Sequence, residues 1–95
     1  MTTIVVNDKV LMTNKVVKKE VIESMAILNR VKELRAAMGI NQQELGSLVN
    51  VSRQTISLIE RGDYNPSITL ALKISHVFQK NVEEVFMLTE DEYDQ

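Results

Sequence analysis

Cysteine is absent from this chain of 95 residues, which excludes disulfides, cysteine-ligated zinc and thiol catalysis. Aromatic residues make up only 4%, so a core has to be assembled from Leu, Ile, Val and Met. No apolar run approaches the roughly 20 residues that span a bilayer. The opening MTTIVVNDKVLM has no basic n-region and too short an apolar run for a secretory signal. A soluble, cytoplasmic chain without membrane association is expected. Histidine occurs once, at His76 between Ile74 and Val77 in a helical pattern, where a packed or half-exposed helix residue is the better reading than a catalytic base. The carboxylate pairs Glu83/Glu84 and Asp91/Glu92 belong to a helix cap and to a tail. With no further His and no Cys, metal and nucleophile constellations are missing, and neither an enzyme nor a cofactor is expected.

What is present suffices for one small domain, or a smaller domain with an extension: hydrophobic residues make up 44%. There is no internal repeat and no low-complexity segment. The net charge of −2 argues superficially against a nucleic-acid partner, but its distribution weakens that objection. Residues 1–28 carry four basic and three acidic groups, and residues 29–88 seven and six. Residues 89–95 carry only acids, Glu90, Asp91, Glu92 and Asp94. The body is therefore +2 and the tail −4. Screening limits electrostatic reach to about 8–10 Å at physiological salt, so the local balance is what a phosphate meets.

Five helical patterns follow from residue 28 onward. The first runs to Met38 with Leu28, Val31, Leu34 and Met38 on its inner stripe, and Gly39 supplies a left-handed stop with Ile40 just beyond. The second opens on a capping box, Asn41 with Glu44, and buries Leu45, Leu48 and Val49. Asn50 tolerates positive φ and suits the turn that follows. Gly46 inside this helix costs about 1 kcal/mol against Ala, which implies close approach of another helix there. The third starts at the N-cap Ser52 and ends near Arg61, before Gly62. Asn65 precedes Pro66 and is pushed away from helical angles. Ser67 caps the fourth, with Ile68, Ala71, Ile74, Val77 and Phe78 at helical spacing. Asn81 and Glu84 form a second capping box for a short fifth helix containing Val82, Val85 and Phe86.

Residues 41–61, NQQELGSLVNVSRQTISLIER, carry the functional signal. In the third helix Ile56 and Ile59 lie on one side, and Gln54 and Arg61 centre the other, flanked by Ser57, Leu58 and Arg53. A helix with an apolar inner face and a hydrogen-bonding outer face, set at a sharp angle on its neighbour, can enter a DNA major groove. Arg suits guanine O6/N7 and Gln adenine N6/N7, each bidentate pair contributing about 1–3 kcal/mol of discrimination. Leu58 either meets a thymine methyl or packs on the surface of the second helix.

Residues 1–27 form an extension. TTIVV-ND-KVLM reads as a small hairpin around Asn7-Asp8, which needs a partner surface to be stable. Asn14 can cap a helix through VVKKEVIESM that runs into the first core helix, with Val17, Val21, Met25 and Leu28 continuing its stripe. The Val/Ile-rich start is a dimerisation strand, a partner or ligand arm, or a disordered leader. The acidic tail is expected to fray.

The run NRVKELRAAMGINQQELGSLVNVSRQTISLIERGDYNPSITLALKISHVFQKNVEEVF, about residues 29–88, resembles the phage-repressor-like, Cro-type helix-turn-helix family. The resemblance implies an all-α fold, a compact five-helix lambda-repressor-like DNA-binding domain, here with an N-terminal extension that is a β-hairpin, a helix or both. The domains are then an extension at 1–27, a helix-turn-helix domain at 28–88 with its motif at 41–61, and an acidic tail at 89–95. Carried over onto these positions, Gln42 contacts a phosphate and braces the recognition helix, and Arg53, Gln54, Ser57 and Leu58 face the bases. Gln43, Ser52, Thr55, Arg61, Tyr64 and Asn65 contact the DNA backbone, with Ser57 and Thr55 able to touch either. Arg35 and Glu60 match a partly buried ion pair that ties the first helix to the third. Two departures stand out: the family usually has Gly where this chain has Asn50, and Ala where it has Gly46. Both replacements are small or tolerant of positive φ, so the motif survives. The family offers no role for residues 1–27.

The expected function is therefore a sequence-specific DNA-binding transcriptional regulator. It acts as a repressor that meets a near-palindromic site on double-stranded DNA as a homodimer. The alternative is a protein-interaction module of antitoxin or anti-repressor type that engages a protein partner through residues 1–27.

Overall fold

The computed structural model describes residues 3–6, 9–12 and 15–89, and for residues 3–17, Val21 and Ser24 the backbone alone. The chain divides into two units, residues 27–88 and the two flanks 1–26 and 89–95.

The flanking unit begins with an antiparallel sheet of β1 (Thr3–Val6), β2 (Lys9–Met12) and β3 (Lys15–Lys18) in that order. Val6 stands opposite Lys9 and Met12 opposite Lys15, so two residues separate each pair of strands. The expected hairpin is thus joined by a third strand. Its turn residues Asn7 and Asp8, the proposed cap Asn14 and the tail 90–95 lie outside the described residues. The long helix expected from Asn14 does not form. The β-branched pair Val16 and Val17 joins the sheet opposite Leu11 and Val10, where such residues pack well, and helix α1 is confined to Lys19–Ser24. Extended backbone at Met25 (φ −68°, ψ 139°) ends it.

The second unit holds the five core helices: α2 (Val31–Met38), α3 (Gln42–Val49), α4 (Arg53–Arg61), α5 (Ile68–Phe78) and α6 (Val82–Val85). Two short strands bracket them. β4 (Ile27–Asn29) and β5 (Phe86–Leu88) pair antiparallel with Asn29 opposite Phe86, and the Arg30 N–H donates to the Val85 carbonyl at 2.9 Å. The first core helix therefore starts at Val31, not at residue 28, and Phe86 is strand rather than helix. Leu28 is exposed because alternation along β4 turns its neighbour Asn29 inward.

The core is Val31, Leu34, Leu45, Val49, Ile56, Ile59, Leu70, Ile74, Phe78 and Val85, with Ile40, Val51, Val77 and Phe86 packed against it. Besides Leu28, three further side chains expected inside are exposed: Met38, Leu48 and Ile68. Met38 is the last residue of α2, and the left-handed Gly39 (φ 75°) brings Ile40 onto the core in its place. On α3 the buried arc runs through Leu45, Gly46 and Val49, so its centre lies toward Gly46 and away from Leu48. On α5 the buried arc runs through Leu70, Ile74, Ser75 and Phe78, which leaves Ile68 outside it.

Capping follows the side chains. Asn41 Oδ1 accepts from the Glu44 N–H at 2.7 Å and Glu44 Oε1 from the Asn41 N–H at 2.8 Å. Ser67 Oγ accepts from the Leu70 N–H at 3.1 Å, and Glu84 Oε1 from the Asn81 N–H at 2.8 Å. Each satisfies a donor that the first turn of a helix otherwise leaves open.

Candidate nucleic-acid interface

The angle between α3 and α4 is set by the three residues that join them. Asn50 takes the left-handed conformation (φ 65°, ψ 44°) that its short polar side chain tolerates, and the Val51 N–H closes onto the Gly46 carbonyl at 2.9 Å. The approach is so close that a Cβ on Gly46 would lie 2.5 Å from the Val51 carbonyl oxygen. Glycine at 46 is thus required by the turn entering α4, rather than by a packed helix. Ile56 and Ile59 then bury the inner side of α4 completely.

A single carboxylate fixes α4 to two other helices. Glu60 Oε2 receives Arg35 Nε of α2 at 2.8 Å, and Glu60 Oε1 receives Gln42 Nε2 of α3 at 3.0 Å. The remaining Arg35 group Nη1 donates to the Ile40 carbonyl at 2.9 Å. The side chains of Arg35 and Glu60 are 15% and 4% exposed, so this network is largely withdrawn from solvent. Gln42 spends one amide hydrogen as the brace on Glu60. It keeps the other, since a carboxamide carries two.

Asn29 of β4 holds the same helix at the neighbouring residue. Its Nδ2 donates to the Ile59 carbonyl at 2.9 Å, and its Oδ1 accepts the Val31 N–H at 3.0 Å. Sequence reasoning missed this residue. An Asn just before a helix reads as a cap, and only the fold brings Ile59, thirty residues away, within its reach.

Among the expected base-reading residues, Arg53 and Gln54 are exposed, Ser57 is half-buried and Leu58 is 36% exposed. Gln43, Ser52, Arg53 and Gln54 line one polar cleft with Ser47 and Val51. Gln42, Gln43 and Arg53 line a second with Arg35 and Asn41, so one arginine stands between two notches at the N-termini of α3 and α4. The caps Asn41 and Ser52 take only the third amide of each helix, and the open amides of a helix N-terminus favour an anion. Ser52 and Thr55 are engaged with one another: Ser52 Oγ accepts the Thr55 N–H at 3.1 Å and lies 3.1 Å from Thr55 Oγ1. Arg61 reaches Ser57 Oγ at 3.0 Å and Asp63 Oδ2 at 3.1 Å. Tyr64 lines a separate cleft with Asn50, Ser67 and Lys73, and Asn65 is exposed beside it in sequence.

A helix-turn-helix family model matches residues 31–85, more than half of the chain. The chain belongs to the Cro/C1-type helix-turn-helix family. It is similar to the HTH-type transcriptional regulator YgzD of Bacillus subtilis, 54% identical over 63 residues that make up 66% of this chain and 96% of that protein. An HTH-type transcriptional regulator of Archaeoglobus fulgidus is 46% identical over 63 residues, 66% of this chain and 89% of the other. Among solved structures, the restriction-modification controller protein C.AhdI of Aeromonas hydrophila superposes with a TM-score of 0.55 at 33% identity, covering 58% of this chain and 83% of its own. A Bacteroides fragilis protein with a TM-score of 0.59 at 22% identity, covering 63% and 97%, shares the fold.

The protein is thus a DNA-binding, HTH-type transcriptional regulator, and the role its relatives are named for is a non-enzymatic one. Among its described residues no helix is long and apolar enough to cross a membrane. The family match ends at residue 31 on the N-terminal side, so it leaves the flanking sheet and α1 without a counterpart.

Proposed function

We propose that this regulator reads a near-palindromic operator as a homodimer and represses by occupying a promoter. The observation that carries base reading is the outer face of α4, which presents Arg53 and Gln54 to solvent while hydrogen bonds at Glu60 and Ile59 tie the same helix to α2, α3 and β4. In this reading Arg53, Gln54, Ser57 and Leu58 meet base edges. Gln42, Gln43, Ser52, Thr55, Arg61, Tyr64 and Asn65 meet the sugar-phosphate backbone. Ser52 and Thr55 contribute mainly through the helix start they cap. Two recognition helices about 34 Å apart then enter successive major grooves. A second copy is supported by α5, where Ile68 and Leu72 stand one turn apart and are 80% and 52% exposed. A two-fold interface places such a patch against itself.

The test is selection of bound sequences from random duplex DNA, followed by Arg53→Ala and Gln54→Ala on the selected site at fixed salt. Each substitution is expected to lower discrimination at one base pair by about 1–3 kcal/mol, while Gln43→Ala weakens all sequences evenly. Unchanged affinity and selectivity for both variants would remove the base-reading assignment. Selected sites without dyad symmetry would remove the homodimer.

The flanking unit favours a second role beside this one. Its sheet and α1 lie outside the family match, and Ile22 on α1 is exposed. A protein partner held there, as in an antitoxin or anti-repressor, is the reading to set against dimerisation.

A further inference from the structure

Next to the outer face of α4 stands an acid that DNA reading does not call for. Asp63 follows the helix by two residues, and its backbone is fixed. Gly62 takes a left-handed conformation (φ 80°, ψ 13°) with its N–H on the Ile59 carbonyl at 3.0 Å, and the Asp63 N–H closes onto the Leu58 carbonyl at 2.9 Å. This Schellman turn aims the carboxylate back along the helix. Asp63 Oδ2 accepts from Arg61 Nε at 3.1 Å, while Arg61 Nη1 donates to Ser57 Oγ at 3.0 Å.

Stability does not explain the arrangement. Both side chains are 58% exposed, and ion pairs of that kind contribute little. A carboxylate just beyond a helix C-terminus also faces the negative end of the helix dipole. What the turn achieves is to give a guanidinium an anion in advance. A carboxylate offers arginine the same oxygen acceptors as a phosphate.

We propose that Asp63 is an intramolecular stand-in for a DNA phosphate. In the free regulator it holds Arg61 folded across Ser57. On docking, a backbone phosphate replaces it, and Arg61 and Ser57 are released together toward the duplex. Every contact that uses Arg61 therefore begins with an exchange of anions rather than with a free cation, which lowers affinity for DNA and reduces its salt dependence. The proposal rests on the reading of Arg61 as a backbone contact.

The test is titration of the full chain with mixed-sequence duplex DNA long enough for two half-sites, at several salt concentrations. It uses Asp63→Asn, Arg61→Ala and the double variant. Asp63→Asn is expected to bind about two- to five-fold more tightly, the range an exposed pair allows. Its log–log salt slope should steepen by about one. In the Arg61→Ala background the same change should have less than half that effect on log affinity. Thermal unfolding of Asp63→Asn should match the unsubstituted chain, because the pair is solvent-exposed. Weaker or unchanged binding by Asp63→Asn overturns the proposal, and weaker binding makes Asp63 a support for Arg61 instead. An equal gain in both backgrounds also overturns it, leaving only the general repulsion between a carboxylate and DNA. If Arg61→Ala alone leaves affinity untouched, the backbone-contact reading itself fails, and the proposal with it.

Discussion

Asn29 uses both ends of one carboxamide: its nitrogen holds the last turn of α4 and its oxygen the first turn of α2. The Ile59 carbonyl keeps the Gly62 N–H when Asn29 is removed, but the Val31 N–H has no such second partner at the start of its helix. Asn29→Ala is therefore expected to destabilise the chain by about 1–3 kcal/mol, read from urea unfolding. A loss below a few tenths of a kcal/mol would show that water replaces the side chain. Glu60 follows the same logic with a charge. Its carboxylate is nearly sealed from solvent and receives both Arg35 and Gln42, so the residues the resemblance linked as a pair act as three. The pair was legible from the family pattern. Gln42 was legible as a brace, but its acceptor was not, since residues 42 and 60 meet only when α3 and α4 have packed.

At the scale of elements, helix ends were the most readable feature, because caps and stops are local chemistry. Asn41, Ser52, Ser67 and Asn81 all stand immediately before helices, and Gly39, Asn50 and Gly62 all adopt positive φ after them. The end of α5 is the exception. Gln79 sits at φ 56° without the small or Asx side chain that such a position favours. Gln79→Gly is expected to raise stability by up to about 1 kcal/mol, a rise of a few degrees in the thermal midpoint. A fall would mean that the Gln side chain makes a contact worth more than the strain. Strand boundaries were far less readable. Ile27–Asn29 and Phe86–Leu88 are too short to show a period, and each adjoins a helical pattern that extends smoothly over it.

On the scale of the whole molecule, residues 27–88 carry their own core, their own closing sheet and the proposed reading surface. A relative matched over 96% of its length by 63 residues of this chain has little beyond such a unit. A chain shortened to begin at Met25 is therefore expected to remain folded and to bind duplex DNA with affinity within about two-fold of the full chain. Because Ile68 and Leu72 belong to the retained unit, sedimentation of the shortened chain should report the proposed homodimer, as for the full chain. A folded monomer with weakened DNA binding would instead place the interface in residues 1–24. An intact dimer that no longer captures a protein partner of the full chain would assign those residues to that partner.

The helix order, most of the caps, the turn at Asn50 and the two-faced character of α4, on which the proposed base reading rests, were already written in the sequence. These depend on residues within one or two turns of each other and on a 3.6-residue period that survives in the bare chain. The family resemblance extended this to the Arg35–Glu60 pair. Which apolar residues were buried emerged only from the packing of the helices. The facing elements set the centre of each buried arc, drawing Leu70 in while leaving Leu48 and Ile68 in solvent. The fold also decided what holds α4 in place, Asn29 from β4 and Gln42 from α3, and what holds Arg61, Asp63 across a left-handed glycine. A hydrogen bond between groups distant in sequence leaves no periodic trace, because its partners are set by how the helices pack and not by the spacing of residues along any one of them.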